Sequence, residues 1–178
     1  MNANEKELQN KMGLFLSQYF FVNYEVWSTN HVKRIDLIIV HKSDADKKYP
    51  IGIEIKIDEK KKGKELANWI KQASTYSKLN FNGFGRCLIV TYPQISGTYL
   101  NEGTEMNQHI DEFGVARKDH NISTFLSSFG IGEMQRYVYE NYKNKTKKEY
   151  IRIVYLGQVI WDLKDNELRT TNYERLCK

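Results

Sequence analysis

Cysteine is scarce in this chain, with two residues, Cys87 and Cys177, among 178. They are too few for a disulfide framework and show no CxxC spacing, so a reduced, cytoplasmic setting is expected. The four histidines, His31, His41, His109 and His120, lack the spacing of a zinc site. Asp119-His120-Asn121 resembles the start of an HNH nuclease site, but no later histidine follows to complete it. No apolar run approaches the ~18 residues needed to cross a bilayer. The start, Met1-Asn2-Ala3-Asn4-Glu5-Lys6, lacks the basic-then-apolar pattern of a secretory signal. The absence of a GxxxxGK[ST] loop argues against an NTPase. There is no internal repeat and no low-complexity tract. These absences predict a soluble intracellular protein with chain enough for one domain and a proper core.

Aromatic residues are plentiful at 13%, 12 of them tyrosines, and Lys plus Arg exceed Asp plus Glu by 27 to 22, for a net charge of +5. That modest basic excess suits a polyanionic partner but does not identify one.

Hydrophobic periodicity predicts the elements. Leu8, Met12, Phe15, Leu16, Tyr19 and Phe20 recur at helical spacing, so a first helix is expected from about Asn4 to Phe21. Residues 23–27 read as a short strand. Residues 34–41 and 51–57 read as stronger strands, joined by a polar loop into an antiparallel hairpin. Residues 63–80 turn helical, with Leu66, Ile70, Ala73 and Ser77 on one side. Cys87 to Tyr92 is an apolar strand ended by Pro93, of the kind buried centrally in a sheet. The order helix, three strands, helix, strand predicts an α/β sandwich with a mixed sheet. Residues 94–120 are polar and aperiodic. Residues 123–142 suggest two short helices around Phe129-Gly130-Ile131-Gly132, and 143–149 a charged connector. A closing hairpin is expected from Ile151–Tyr155 and Gln158–Asp162 around Leu156-Gly157.

The chemistry concentrates in the two strong strands, which read Arg34-Ile35-Asp36-Leu37-Ile38-Ile39-Val40 and Ile51-Gly52-Ile53-Glu54-Ile55-Lys56-Ile57. Strand side chains alternate, so Glu54 and Lys56 share a face while Ile53, Ile55 and Ile57 point into a core. Metal-assisted phosphodiester hydrolysis needs a cation to polarise the phosphate, an activated water, and stabilisation of developing charge. Hard Mg²⁺, or Mn²⁺ in its place, favours carboxylates on rigid strands. Asp36 and Glu54 meet that need if their strands are neighbours, with the Ile55 carbonyl as a further ligand. Lys56 would orient the attacking water or stabilise the transition state. The competing reading is a charged strand face with no chemistry.

These residues resemble the PD-(D/E)xK nuclease superfamily over about residues 4–93. Asp36 matches the aspartate of the second core strand, and Glu54-Ile55-Lys56 the (D/E)xK element; Ile35 stands where the proline would be. The resemblance implies a three-layer restriction-endonuclease-like core of order αβββαβ over residues 1–93. Residues 94–178 would then form a helical and β-hairpin extension packed on it. It also implies a first-helix glutamate completing the metal site, for which Glu7 matches and Glu5 is the fallback. Gln72-Ala73-Ser74-Thr75-Tyr76 is similar to the QxxxY element of the RecB-like branch, with Gln72 beside the catalytic set and Tyr76 toward nucleic acid. No first-helix histidine and no cluster-binding cysteines accompany it, so resolvase-like or restriction-type membership stays open.

Lys60, Lys61, Lys62 and Lys64 follow the ExK strand, and Lys33 and Arg34 enter the Asp36 strand, so both groups are candidates for phosphate contacts. Tyr137, Tyr139 and Tyr142, with Arg136 and Lys143, are candidates for stacking or for ordinary core and rim positions. The helix–glycine–helix cadence of Ser123–Met134 opens its second helix on Glu133, which suits a packed hairpin better than groove reading. The expected function is thus a Mg²⁺-dependent deoxyribonuclease acting as an endonuclease on DNA. The alternatives are a catalytically inactive nucleic-acid-binding module and a partner-dependent nuclease subunit of the same fold. Homodimerisation is left open.

Overall fold

In the computed structural model, residues 3–46, 48–56, 64–92, 126–141 and 146–176 are described below. Helix α1 (Ala3–Leu16) ends earlier than its apolar stripe implies. Ser17 Oγ turns back to the Leu14 carbonyl at 2.7 Å, a local bond that competes with continued helix. The β-favouring run from Phe20 then starts strand β1 (Phe20–Trp27). Strands β2 (Arg34–His41) and β3 (Ile51–Ile55) are antiparallel neighbours, as their patterning predicts, and β3 is buried throughout. Helix α2 (Lys64–Tyr76) crosses back over the sheet and closes where Ser77 Oγ takes up the Ser74 carbonyl at 2.9 Å. A small hairpin of β4 (Asn80–Phe81) and β5 (Gly85–Arg86) leads into β6 (Leu88–Tyr92), which lies parallel to β3.

The second of the two helices expected within residues 123–142 is not found: residues 126–128 are helical, but strand β7 (Ile131–Asn141) follows. Gly130, at φ +75, reverses the chain between them, and a Cβ there would meet Ser77 Oγ at 2.8 Å. The alternation that follows suits a strand, which pairs with β6 through Ile131, Gly132 and Glu133. Residues 146–149 of the expected charged connector belong to strand β8 (Thr146–Tyr155). The hairpin to β9 (Gln158–Asp162) forms as expected, with Leu156 at φ +50 and Gly157 at φ +69 in its two-residue turn. Strand β10 (Glu167–Leu168) and helix α3 (Thr170–Leu176) complete the chain.

The result is a mixed α/β fold around one eight-stranded sheet of order β1-β2-β3-β6-β7-β8-β9-β10. The strands after residue 130 therefore continue the sheet that β1, β2, β3 and β6 begin. Two apolar clusters cover its faces. Leu16 of α1, Leu37, Ile39, Ile51, Ile53, Ile55, Trp161 and Tyr173 of α3 form one. Ile35, Ile38, Ile89 and Ile131 pack with Trp69, Ala73 and Tyr76 of α2 in the other. Each fully buried isoleucine contributes ~1.5–3 kcal/mol of apolar burial, so β2 and β3 are the most firmly held part of the sheet. Among the described residues, no helix is long and apolar enough to cross a membrane.

Candidate active site

Asp36 is an exception in both of its ladders. On one side, Tyr24 pairs with Leu37 and Val26 with Ile35, but the pairing passes over Glu25 and Asp36. Glu25 is turned to φ +51, a conformation costly for a residue with a Cβ. On the other side, the β2–β3 ladder stops at Leu37 and Ile53. In the gap, the Asp36 carboxylate accepts the Ile55 N–H at 2.8 Å, and its main-chain oxygen accepts the side-chain amide of Gln9 at 2.7 Å. A residue's N–H and C=O point to the same side of a strand, so the Ile55 carbonyl also faces β2. Lys56 N–H continues the β3–β6 ladder by donating to the Tyr92 carbonyl at 2.9 Å.

Glu54 is 1% exposed and Asp36 7% exposed. The Lys56 ammonium lies 2.7 Å from Glu54 Oε1 and 3.4 Å from Glu5 Oε1 of α1. Glu54 Oε2 is buried and meets no donor among the described residues. Burial raises the Asp36 pKa, against the opposing pull of the Ile55 N–H and of Lys56. Burial first, and the Asp36 charge second, push Glu54 up to about 8. For Lys56, burial disfavours the ammonium, but the carboxylates of Glu54, Asp36 and Glu5 outweigh it and hold the pKa at about 12. The cluster therefore carries more buried acid than Lys56 neutralises, and this favours binding of a proton or a further cation.

Tyr76 and Gln72 reach the rim of this cluster. The Tyr76 hydroxyl donates to the Arg34 carbonyl at 2.9 Å and accepts the Gln72 amide at 2.8 Å. Its pKa is raised by burial and by the Glu54 charge. The i,i+4 pair thus fixes the start of β2, and Gln72 acts on Tyr76 rather than on the acids. Arg34 is held by Glu25 at 3.3 Å and lies over the Trp27 ring at 5.6 Å, while Lys33 is exposed. Glu7, the first expectation for the helix acid, is exposed and paired with Lys11 at 2.6 Å. Glu5, one helical step back, is the acid that meets Lys56. Lys60, Lys61, Lys62, Tyr142 and Lys143 lie outside the described residues, as do residues 94–125. Lys64 opens α2, but its side chain, like those of Tyr137 and Tyr139, is outside the description.

Several residues beyond the sequence expectation belong to the site. Gln9 and Glu25 set the position of Asp36. A polar row crosses the sheet beside Glu54, since Thr91 pairs with Glu54 and Glu133 with Thr91, and all three are buried. The Thr91 hydroxyl has no partner among the described residues. Arg152 donates to Gln135 at 2.9 Å farther along the same sheet. Among the described residues, no group of three or more His, Cys, Asp or Glu is placed to hold a metal ion. Compared with protein-family models, with curated proteins and with solved structures, the chain matches none.

Proposed function

We propose that this protein is a metal-dependent nuclease that hydrolyses phosphodiester bonds in DNA, acting as an endonuclease through a PD-(D/E)xK-type site. The observation that carries the proposal is the buried pair Asp36 and Glu54, whose mutual repulsion is only partly relieved by Lys56. The element order α1-β1-β2-β3-α2-β6 supports a restriction-endonuclease-like core.

The donor set suits Mg²⁺ or Mn²⁺. Mg²⁺ is commonly held by one or two carboxylates, with water and substrate phosphate completing its shell. Asp36 and Glu54, with the Ile55 carbonyl, are the residues that would hold it, and Glu54 Oε2, buried with no donor among the described residues, is a position a cation would satisfy. When bound, the cation supplies charge stabilisation on the phosphate and a more acidic water. The protein's own residues do the rest. With a pKa of about 12, Lys56 is an ammonium at neutral pH, so it acts as hydrogen-bond donor and charge stabiliser and not as a base. Glu5 anchors the ammonium from α1. Tyr76 and Gln72 keep the backbone before Asp36 from shifting. Lys33, exposed at the entry to β2, is available to a phosphate.

A second reading is a catalytically inactive nucleic-acid-binding module of the same fold, acting alone or as a subunit. One observation favours it: the Lys56 ammonium already occupies the Glu54 carboxylate. Cleavage of linear, circular, branched and single-stranded DNA with Mg²⁺, Mn²⁺ or EDTA separates the two. The nuclease reading expects cleavage with either metal, none with EDTA, and loss of at least a hundredfold in Asp36→Asn and Lys56→Met with folding intact. Metal-dependent cleavage retained in both variants would sink it, and binding without cleavage by the unaltered protein would establish the second reading.

A further inference from the structure

A cleft of about 470 Å³ lies at the opposite end of β3 from Glu54 and Lys56. Lys48, just before β3, and Arg86, Cys87 and Leu88, around the start of β6, line it together with the end of α2 and the turn at Phe129. The five residues of β3 span roughly 17 Å at ~3.3 Å per residue, so the cleft is separate from the acid cluster. Its volume falls in the range of small-molecule sites.

The chemistry of its lining is one-sided. Lys48, Lys78 and Arg86 supply cations, Ser74 supplies a hydroxyl, and no carboxylate lines it among the described residues. Lys48 is shared with Asp46 at 3.0 Å. Lys78 and Arg86 have no carboxylate partner among the described residues, so two positive charges face one cavity uncompensated. The C-terminus of α2 would ordinarily repel an anion, but its last carbonyls are already bonded. Ser77 N–H takes Ala73 O, Ser77 Oγ takes Ser74 O, and Lys78 and Leu79 N–H take Thr75 O and Tyr76 O, at 2.9–3.2 Å. Burial pushes the Cys87 thiol up to about 12, so it is neutral and takes no part as a nucleophile.

The floor is rigid. Tyr173 of α3 donates to the Pro50 carbonyl at 2.6 Å and accepts the Leu88 N–H at 3.2 Å, which ties α3 to β3 and β6. The wall between α2 and the Phe129 turn closes tightly because Gly130 leaves room for Ser77. Phe129 stands at the rim, 40% exposed.

We propose that this cleft binds a phosphomonoester of mononucleotide size, with Arg86 and Lys78 on the phosphate, the Ser74 hydroxyl as a further donor, and Phe129 against the base. Arginine and lysine in one cleft suit a dianionic phosphate, and an aromatic face accepts any of the bases. The proposal does not depend on the nuclease reading.

Calorimetric titration of the full chain with AMP, GMP, CMP and UMP, inorganic phosphate and adenosine tests it. At least one mononucleotide should bind with one site per chain, and adenosine should bind at least tenfold more weakly than AMP. The double variant Lys78→Ala/Arg86→Ala, both positions exposed, should weaken nucleotide binding at least tenfold without lowering the Tm. Phe129→Ala should weaken nucleotide binding several-fold and leave phosphate binding unchanged. The proposal is overturned if no mononucleotide binds saturably, if adenosine binds as well as AMP, or if the double variant binds undiminished. It is equally overturned if Lys11→Ala, outside the cleft lining, weakens binding as much, since that marks a general attraction to basic surface.

Discussion

Gln9 donates its side-chain amide to the main-chain oxygen of Asp36 at 2.7 Å, inside the protein. That bond compensates for the missing Glu25–Asp36 pairing and lets the Asp36 side chain turn to Ile55 while its carbonyl stays satisfied. Glu25, at φ +51, is tied to Lys6 of α1 at 2.8 Å and to Arg34 at 3.3 Å. Helix α1 thus touches all three strands at this end: β1 through Lys6, β2 through Gln9, and the residue following β3 through Glu5.

Replacing Gln9 tests this arrangement. Gln9→Leu leaves the Asp36 carbonyl buried without a donor, at a cost of ~1–3 kcal/mol. Gln9→Glu should be worse near neutral pH, where a carboxylate would face a carbonyl, and should recover in acid, where the protonated side chain can again donate. Urea denaturation of both variants and the parent at pH 5 and pH 8 measures this, and a Gln9→Glu penalty relative to the parent that is the same at both pH values would contradict the assigned bond.

Glu5 and Glu7 provide a contrast within one helix turn. Glu5 approaches Lys56 at 3.4 Å, whereas Glu7 pairs with Lys11. Glu5→Gln should therefore slow metal-dependent cleavage about tenfold, equivalent to ~1.4 kcal/mol on the barrier, with a Tm close to that of the parent. Partial rescue is expected in Glu5→Asp. Glu7→Gln should change neither rate nor Tm. Equal effects of the two glutamine variants would remove Glu5 from the site.

The contrast also shows what a sequence can reveal here. The apolar strands around Asp36 and Glu54 are readable because a fully buried strand requires an unbroken run of β-branched residues, and acids set inside such a run stand out. The choice of Glu5 was readable as well: extending the buried line Leu16 and Met12 back by three and then four residues gives Gln9 and Glu5, and leaves Glu7 on the solvent side. The left-handed turn at Glu25 was not, since glutamate carries no preference for it and only the loss of pairing with Asp36 explains it. Strand β7 was missed because Phe129-Gly130-Ile131-Gly132 reads equally as a turn between helices. What decides is pairing with β8 and with β6, the latter distant in sequence.

The buried acids make stability depend on pH in a direction opposite to that of most carboxylates. With its folded pKa raised from 4.5 to about 8, Glu54 keeps its proton in the native state where the unfolded chain has lost it. The native state then binds more protons between those values, so stability falls as pH rises through the window and the loss is complete above about pH 8. Asp36 is raised too and acts in the same direction, whereas Glu7 and Glu25, lowered by Lys11 and Lys6, act oppositely but only below the ordinary carboxylate range. Lys56, raised to about 12, holds its contribution across the whole window. Calorimetry in EDTA at constant ionic strength should show Tm decreasing from pH 5 to pH 8.5. Glu54→Gln, which carries no charge to bury, should flatten most of that slope and be more stable than the parent by a few kcal/mol at the alkaline end. Because a cation at Glu54 competes with the same proton, added Mg²⁺ should raise the parent's Tm more at pH 8.5 than at pH 6. A Tm that rises with pH in EDTA, or a slope unchanged in Glu54→Gln, would show that Glu54 is already ionised at neutral pH.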